Sequence, residues 1–485
     1  MLVGETGTGK SVLVQGFLNK LVATSEKGIN PVLASFSAQT SARNMQDLLE
    51  SKLDKIRKNL LGAGPGRQCV VMVDDINMPA LEKYGAQPPI ELVRQTLAQG
   101  GFYDLKKLFF KRVQNTAFIA ACGPPGGGRN TITPRLVRHF NLLWMPQMSG
   151  SAMQNIFGNI LSGFLGVDDF TDDVKALART VVAITIKLYD CMCSEMLPTP
   201  SKSHYTFNLR DVSKVTQGIL QITSPKCPDA DVFLRLWCHE ASRVFADRLV
   251  NKTDREWFAS KMSSILKEDT ERDWPAESFP NLMFGAYMKS SDGFENAPYE
   301  EVDVETTSTK LDDALADYNM ASTKPMNLVF FKDACHHLAR ISRIITQPRG
   351  CALLVGVGGS GRSSLVRLAS AMWDYTCFSI EITRTYDTSA FHDDLKRFMF
   401  NAGCKNKPCV FLFSDTQIVK ESFVEDINNL LNAGEVPNMM GEDDMAQILN
   451  EVRPLAKAAG KPEGRDAVYA SVSYTHLTLP TKRIV

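Results

Sequence analysis

The sequence predicts an α/β protein, with parallel sheets flanked by helices in two units joined by an all-helical section. Three observations predict it. Two glycine-rich loops open at Gly4 and Gly356, each after an apolar run and ahead of a helical apolar pattern. Each unit then carries a second short apolar run ending in acid, CVVMVDD at 69–75 and CVFLFSD at 409–415. Between the units the apolar spacing turns helical throughout. Short runs of β-branched and aromatic residues suit the buried strands of a parallel sheet, and strands alternating with helices imply a layered α/β domain.

The first unit begins MLVGETGTGKSVLVQGFL, so only Met1–Val3 stands for its first strand. A helical pattern covers ARNMQDLLESKLDKIRKNL, 42–60, between loop and acid. A third apolar run, TAFIAAC at 116–122, leads into the turn-rich GPPGGGRN of 123–130. Helical segments such as VKALARTVVAITIKLYDCM and DVFLRLWCHEASRVFADRL then predict a lid over 151–270. The acidic, turn-rich stretch 289–310 reads as the connection between units, within a linker spanning 271–325. Helical character resumes at 328–345, and Cys351–Val355 reads as the strand ahead of the second loop.

Composition narrows the possible functions. The 485 residues carry 54 basic and 54 acidic side chains, a net charge of zero, which argues against a coat for nucleic acid. Hydrophobic residues make up 44% and charged residues 22%, so a folded chain is expected rather than a disordered one. No apolar stretch is long enough for a membrane span, and MLVGETGTGKS has no signal-peptide pattern, so no membrane partner is expected. The 11 cysteines are odd in number and scattered, which fits reduced thiols. The seven histidines show no metal spacing, and His336 and His337 read as partly exposed residues of one helix.

Gly4-Glu5-Thr6-Gly7-Thr8-Gly9-Lys10-Ser11 matches the phosphate-loop pattern GxxxxGK[ST] in full. Its glycines let the backbone curl until successive N–H groups face phosphate oxygens, and the next helix adds the positive end of its dipole. Lys10 would reach the terminal phosphates of ATP or ADP, and the Ser11 hydroxyl would ligate Mg²⁺. Asp74 and Asp75 end a strand 65 residues beyond Lys10. They fit the metal-side carboxylate and the carboxylate that faces the attacking water. Asp stands at 75 where such ATPases usually carry Glu, and its shorter reach predicts tight binding with slow turnover.

The second loop, Gly356-Val357-Gly358-Gly359-Ser360-Gly361-Arg362-Ser363, keeps the glycines but has Arg362 for the lysine. A planar guanidinium does not replace a compact ammonium conservatively. Its acidic strand end reads Ser414-Asp415, without the metal-side carboxylate. Binding without hydrolysis and no binding at all both fit these residues. Arg135 and Arg138, in TPRLVRHF, are candidate fingers for phosphoryl charge on a neighbouring module, and Arg210, in YTFNLRD, a candidate lid contact to the γ-phosphate. For each arginine alone, a surface salt bridge is an equal alternative.

Tandem phosphate-loop units with helical lids on one chain resemble the AAA+ superfamily of P-loop NTPases. FSAQTSA (36–42), VDDINMPALEKYGAQPPIELVRQ (73–95), GGFYDLKKL (100–108) and GPPGGGRNTITPRLVRHFN (123–141) look like the third AAA+ module of an axonemal dynein heavy chain. QPRGCALLVGVGGSGRSSLVRLA (347–369) and FSDTQIVKESFVEDINNLLNAGEVPN (413–438) look like the fourth. The resemblance implies a large subdomain over 1–150, a lid over 151–270 and the fourth module's large subdomain over 326–470. It implies an ATP-driven, minus-end-directed microtubule motor of the ciliary and flagellar axoneme, in the cytoplasmic cytoskeleton. Six modules form its ring, and the third regulates the first.

That resemblance carries the phosphate-loop role onto Gly4–Ser11, the metal role onto Asp74 and the water-facing role onto Asp75. It carries the finger onto Arg135 or Arg138 and the lid sensor onto Arg210. Gly123 departs from the polar sensor Asn that many AAA+ proteins have there, which puts hydrolysis in doubt. The implied partners are the remaining modules of the same heavy chain, dynein intermediate and light chains, and microtubules through a stalk outside this segment. Both modules read as truncated, so the isolated chain is expected to be a poor ATPase that does not itself bind microtubules. Residues 471–485 leave the family pattern, and VSYTHL back-translates to a sequence like a transposase adapter, so this tail reads as sequencing read-through.

Overall fold

The computed structural model describes residues 1–458 and 482–484, apart from 26–27, 106, 168, 287–297, 323, 348–349, 406, 435 and 437–438. It divides into two compact units. One comprises Met1–Gln147 with Ile380–Cys404 and Ser414–His476, the other Met148–Ser379 with Lys405–Phe413 and Leu477–Val485.

The first unit is built on β1 (Leu2–Val3), α1 (Lys10–Thr24), β2 (Gly28–Ser35), α2 (Ala42–Lys52), β3 (Asp54–Arg57), β4 (Leu60–Gly62) and β5 (Arg67–Asp74). They are followed by α3 (Pro88–Gln99), β6 (Gly101–Tyr103), β7 (Phe110–Gln114), β8 (Thr116–Cys122), α4 (Pro134–Val137) and β9 (Leu143–Trp144). The main sheet runs β2-β5-β8-β1-β9 with every pairing parallel. A parallel sheet covered on both faces needs apolar residues at every position of its central strands. Strand β5 shows why. Cys69, Val71 and Val73 point into a core with Met45, Leu49, Ile90 and Val93 of α2 and α3, while Val70 and Met72 meet Val14 and Leu18 of α1 on the other face. Asp74, the last residue of β5, lies at the carboxyl end of this parallel sheet, where loops carry ligands in α/β folds.

The helix expected over 42–60 stops at Lys52. Beyond it, β3 and β4 form an antiparallel pair, β4 joins β7 in parallel and β7 pairs antiparallel with β6. Helical spacing continues in the local pattern. Long-range pairing with Phe110–Gln114 overrides it, and Leu53 turns into the core at the helix end.

The second unit opens with α5 (Gly150–Val167), α6 (Asp172–Glu195), α7 (Leu209–Ile219), α8 (Ala230–Val244) and α9 (Lys252–Thr270), with short 3₁₀ turns following α6, α7 and α8. Their apolar faces close on one core that includes Leu161, Val181, Leu188, Trp237, Phe245 and Phe258. The Trp237 indole N–H donates to Thr185 Oγ1 at 2.8 Å, which satisfies the one polar atom of that ring inside the core. Two-residue strands β10 (Phe284–Gly285) and β11 (Glu300–Glu301) pair antiparallel. The expected connection over 289–310 lies partly outside the described residues. Its last part is not turn but the start of α10 (Val304–Ala321), because Asp303 caps that helix by accepting from the Thr306 N–H at 2.8 Å.

Helices α11 (Lys332–Thr346) and α12 (Arg362–Met372) follow, with β12 (Thr376–Ser379), β13 (Cys409–Leu412) and β14 (Lys482–Ile484) in a parallel sheet of that order. The strand expected over Cys351–Val355 does not form, and Leu353 and Val355 are 89% and 87% exposed. In the first unit β1 is held between β8 and β9. Among the described residues no strand pairs with Cys351–Val355, and a strand is defined by its partner rather than by apolar residues alone. His336 is buried while His337 is exposed on α11, so the expectation of two partly exposed rings is corrected for both. Among the described residues no helix is long and apolar enough to cross a membrane.

A fully buried polar cluster ties α8 to α11. The Arg343 guanidinium donates to Glu240 through Nε at 3.1 Å and also through Nη2. Tyr299 Oη donates to Glu240 Oε1 at 2.6 Å, and His239 Nδ1 lies 3.4 Å from Tyr299 Oη. Burial, with Arg243 and Arg343 nearby, holds His239 down to about 4, although Glu240 pulls the other way. A histidine whose pKa falls on folding contributes stability that is present above 6.5 and lost as pH falls through the folded value. The gap, at about 1.4 kcal/mol per pH unit, is worth about 3 kcal/mol between pH 7 and pH 4. Thermal unfolding across that range should show this loss, and His239→Leu should remove most of it. An unchanged pH profile in the variant would mean that other groups carry the acid sensitivity.

Candidate nucleotide-binding site

The first glycine-rich loop joins β1 to α1 at the carboxyl end of the main sheet. Gly7 and Gly9 take positive φ, 88° and 79°, which L side chains seldom adopt, so the loop needs glycine there. Helix α1 starts at Lys10, and its first N–H groups have no intrahelical acceptor. Lys10 is buried and its ammonium crosses the loop, donating to Gly4 O at 2.7 Å and Glu5 O at 2.6 Å. Burial pulls its pKa below the usual value, opposed by Asp74 and Asp75 and reinforced by Arg129. The Thr8 hydroxyl donates to Glu5 O at 3.0 Å, Gln147 Nε2 donates to Glu5 Oε2 at 2.5 Å, and Thr6 lies in the turn of the loop.

Asp74, the last residue of β5, accepts a hydrogen bond from Ser11 Oγ. Its other oxygen accepts from the Asp75 N–H at 3.0 Å. Asp75 itself sits at φ 49°, in the left-handed region that Asp and Asn tolerate better than most side chains. The short acid at 75 thus has a backbone reason as well as a difference in reach. The donor set fits a nucleotide with its metal: a curled backbone, a helix N-terminus, an ammonium, and a hydroxyl beside a carboxylate.

The structure brings Gly4–Ser11, Asp74 and Asp75 together. Arg135 and Arg138 stand exposed around the four-residue α4, which Leu136 anchors. Arg210 belongs to the other unit. It is exposed in the first turn of α7, where its backbone N–H donates to the capping Asn208 at 2.9 Å. The residue that sequence reasoning missed is Arg129. Its Nη2 lies 3.5 Å from Asp75 Oδ1. The available signal was an arginine inside GPPGGGRN, a stretch read only as a turn.

The second loop repeats the backbone geometry. Gly359 and Gly361 have φ 78° and 76°, and α12 starts at Arg362 as α1 starts at Lys10. Arg362 donates to Val357 O at 3.2 Å, the counterpart of Glu5 O, and to Leu354 O at 3.4 Å. Gly356 lies against Ser360 and Arg362, while Gly358 and Ser363 are surface residues of the loop and helix start. Ser414 is taken up in a capping box with Gln417, whose Oε1 accepts from the Ser414 N–H at 2.8 Å.

A phosphate loop between a parallel strand and a helix, with a carboxylate at the carboxyl end of another strand of the same sheet meeting the loop serine, defines a P-loop nucleotide-binding module of the ATPase kind. Residues 1–148 match the family model for a P-loop containing dynein motor region. Residues 160–255 match the dynein heavy chain ATPase lid domain, and 326–475 match the P-loop containing dynein motor region D4. The chain belongs to the axonemal dynein heavy chain family. It is 47% identical over 473 residues to dynein axonemal heavy chain 6 of Homo sapiens, covering 97% of this chain and 11% of that one. To dynein axonemal heavy chain 1 of Mus musculus it is 45% identical over 472 residues, 95% and 11% of the two chains. To the dynein-1-beta heavy chain of the flagellar inner arm I1 complex of Chlamydomonas reinhardtii it is 40% identical over 479 residues, 97% and 10%. The chain spans about a tenth of the length of these relatives.

Proposed function

We propose that this chain is the nucleotide-binding ring section of an axonemal dynein heavy chain, covering its third AAA+ module and part of the fourth. The parent protein is an ATP-driven, minus-end-directed microtubule motor for ciliary and flagellar beating, and this section binds ATP or ADP and regulates it. The observation that carries the reading is the convergence of Lys10, Ser11 and Asp74 on one loop at the sheet's carboxyl end. Ser11 and Asp74 would hold Mg²⁺, which supplies charge to neutralise phosphate oxygens. Lys10 binds the terminal phosphates, and Asp75 orients the attacking water. Arg135 or Arg138 serves a neighbouring module's site, and Arg210 is the lid contact. Its partners are the remaining ring modules, intermediate and light chains, and microtubules through the stalk, all in the axoneme.

A second reading, a regulatory nucleotide-binding module with little hydrolysis, gains support from Asp75 and from Ser414, whose hydroxyl and backbone are engaged in capping. Steady-state phosphate release by the purified chain tests this second reading. Slow release alongside saturable ATP binding is expected, and brisk release would overturn the regulatory reading. Asp75→Glu is expected to raise turnover only modestly, because φ 49° disfavours the longer side chain by about 1 kcal/mol. A rise of a hundredfold in the same assay would show that side-chain reach alone limits the site.

A further inference from the structure

Arg129 is held in place by features that do not depend on its charge. The Gly126 and Arg129 backbones pair across a tight turn, with N–H to O distances of 3.0 and 3.1 Å. The next residue anchors the turn, since the Asn130 N–H donates to Asn77 O at 2.9 Å. Asn77, 1% exposed, donates in turn from Nδ2 to Gly123 O at 2.9 Å. Gly123 then gives the arginine its path. A Cβ there would lie 2.8 Å from Arg129 Nε and 2.9 Å from its Cδ, so a side chain at 123 would displace the guanidinium. Gly123, where many AAA+ proteins carry a polar sensor side chain, thus leaves room for a guanidinium beside it.

Two polar atoms in this cluster are buried without a hydrogen-bond partner, Arg129 Nε and Asn77 Oδ1. The ion pair of Arg129 with Asp75, its only one among the described residues, is loose, at 3.5 Å between side chains 23% and 41% exposed. A long, part-exposed pair contributes little, whereas a fork-shaped guanidinium binds phosphate oxygens strongly. Arg129 also lies near enough to Lys10 to disfavour the charge on that ammonium, an arrangement that a bound anion relieves.

We propose that Arg129 reads the terminal phosphate of a nucleoside triphosphate at the first loop, standing on Asp75 until that phosphate arrives. With ATP bound, the guanidinium exchanges the Asp75 carboxylate for γ-phosphate oxygens, and Asp75 is released to accept a hydrogen bond from water. With ADP bound, the pair with Asp75 persists. Arg129 thereby distinguishes the two nucleotides and ties the water-facing acid to their difference. The inference rests on the first loop being a nucleotide site.

The test measures binding of fluorescent ATP and ADP analogues, with Mg²⁺, to the 485-residue chain and its variants. Arg129→Ala is expected to weaken ATP binding at least tenfold and ADP binding less than twofold. Arg129→Gln keeps most of the packing over Gly123 and Asn77 and should reproduce that selectivity loss, which guards against misfolding of the alanine variant. Asp75→Asn should tighten ATP binding several-fold by freeing Arg129, and that gain should vanish when Arg129→Ala is added. Equal losses for both nucleotides in the Arg129 variants, or a gain from Asp75→Asn that survives without Arg129, overturns the inference while leaving the site intact. A wild-type chain that binds neither nucleotide overturns the nucleotide site and the inference together.

Discussion

Replacing Glu240 with alanine is expected to lower the stability of the second unit by about 3–5 kcal/mol, the usual result of breaking a buried ion pair from one side. Glu240 has no exposed surface, and Arg343 is nearly as enclosed. Burial by itself would raise the Glu240 carboxyl pKa. The Arg343 guanidinium outweighs that and holds it well below the usual carboxylate range, so both groups are charged inside the core. Removing the carboxylate leaves the guanidinium without its counterion and the Tyr299 hydroxyl without its acceptor. Denaturant unfolding followed by tryptophan fluorescence reads this unit well, since Trp237, Trp257, Trp274 and Trp373 all belong to it.

Two further variants separate charge from packing. Glu240→Leu combined with Arg343→Met removes both charges and should recover most of the loss, because the desolvation cost of the pair disappears with it. Gly218→Ala should be destabilising by itself, since its Cβ would overlap the Glu240 carboxylate and come within 2.8 Å of Arg343 Nη2. A loss below 1 kcal/mol for Glu240→Ala would mean that water enters and solvates the arginine, and that the cluster does not hold α8 to α11.

The second large effect is at Lys10. Lys10→Ala is expected to weaken nucleotide binding by about a hundredfold, which corresponds to about 2.8 kcal/mol, the scale of one or two hydrogen bonds to charged phosphate. The lysine also donates to Gly4 O and Glu5 O, so its removal takes away both the ammonium and a brace across the loop. Titration with a fluorescent ATP analogue checks this. Arg362→Ala, at the corresponding position of the second loop, should change total binding far less. Comparable losses in the two variants would show that both loops bind, and an unaltered Lys10→Ala would remove the first loop from the nucleotide site.

Much of this was legible in the chain. The phosphate loop is a local code. Glycines permit the curl, and lysine and serine follow at fixed offsets, so residues 4–11 declare their shape without help from the rest of the fold. Asp74 was legible because an apolar strand ending in acid is also local. The hairpin after Lys52 was not legible, because its strands exist through pairing with Phe110–Gln114, far along the sequence. Cys351–Val355 failed in the opposite direction. Its composition is that of a strand, yet strand formation needs a neighbour to accept its hydrogen bonds.

Arg129 shows where a pattern reading stops. An arginine after three glycines carries no instruction about direction. Its direction comes from the bare surface of Gly123, the Asn77 anchor and the Asp75 carboxylate, three residues spread over 48 positions of sequence. The same holds for Glu240 and Arg343, 103 residues apart, neither of which belongs to a motif.

The sequence by itself determined the α/β class, the two phosphate loops, the acid at the strand end and the family to which they belong, because each is written in contiguous residues with a fixed spacing. Tertiary structure alone decided which apolar runs became strands, which arginine met Asp75 and which charged pair was sealed into the core. Those outcomes depend on hydrogen-bond partners, steric room and desolvation, quantities that exist only once distant segments share the same space.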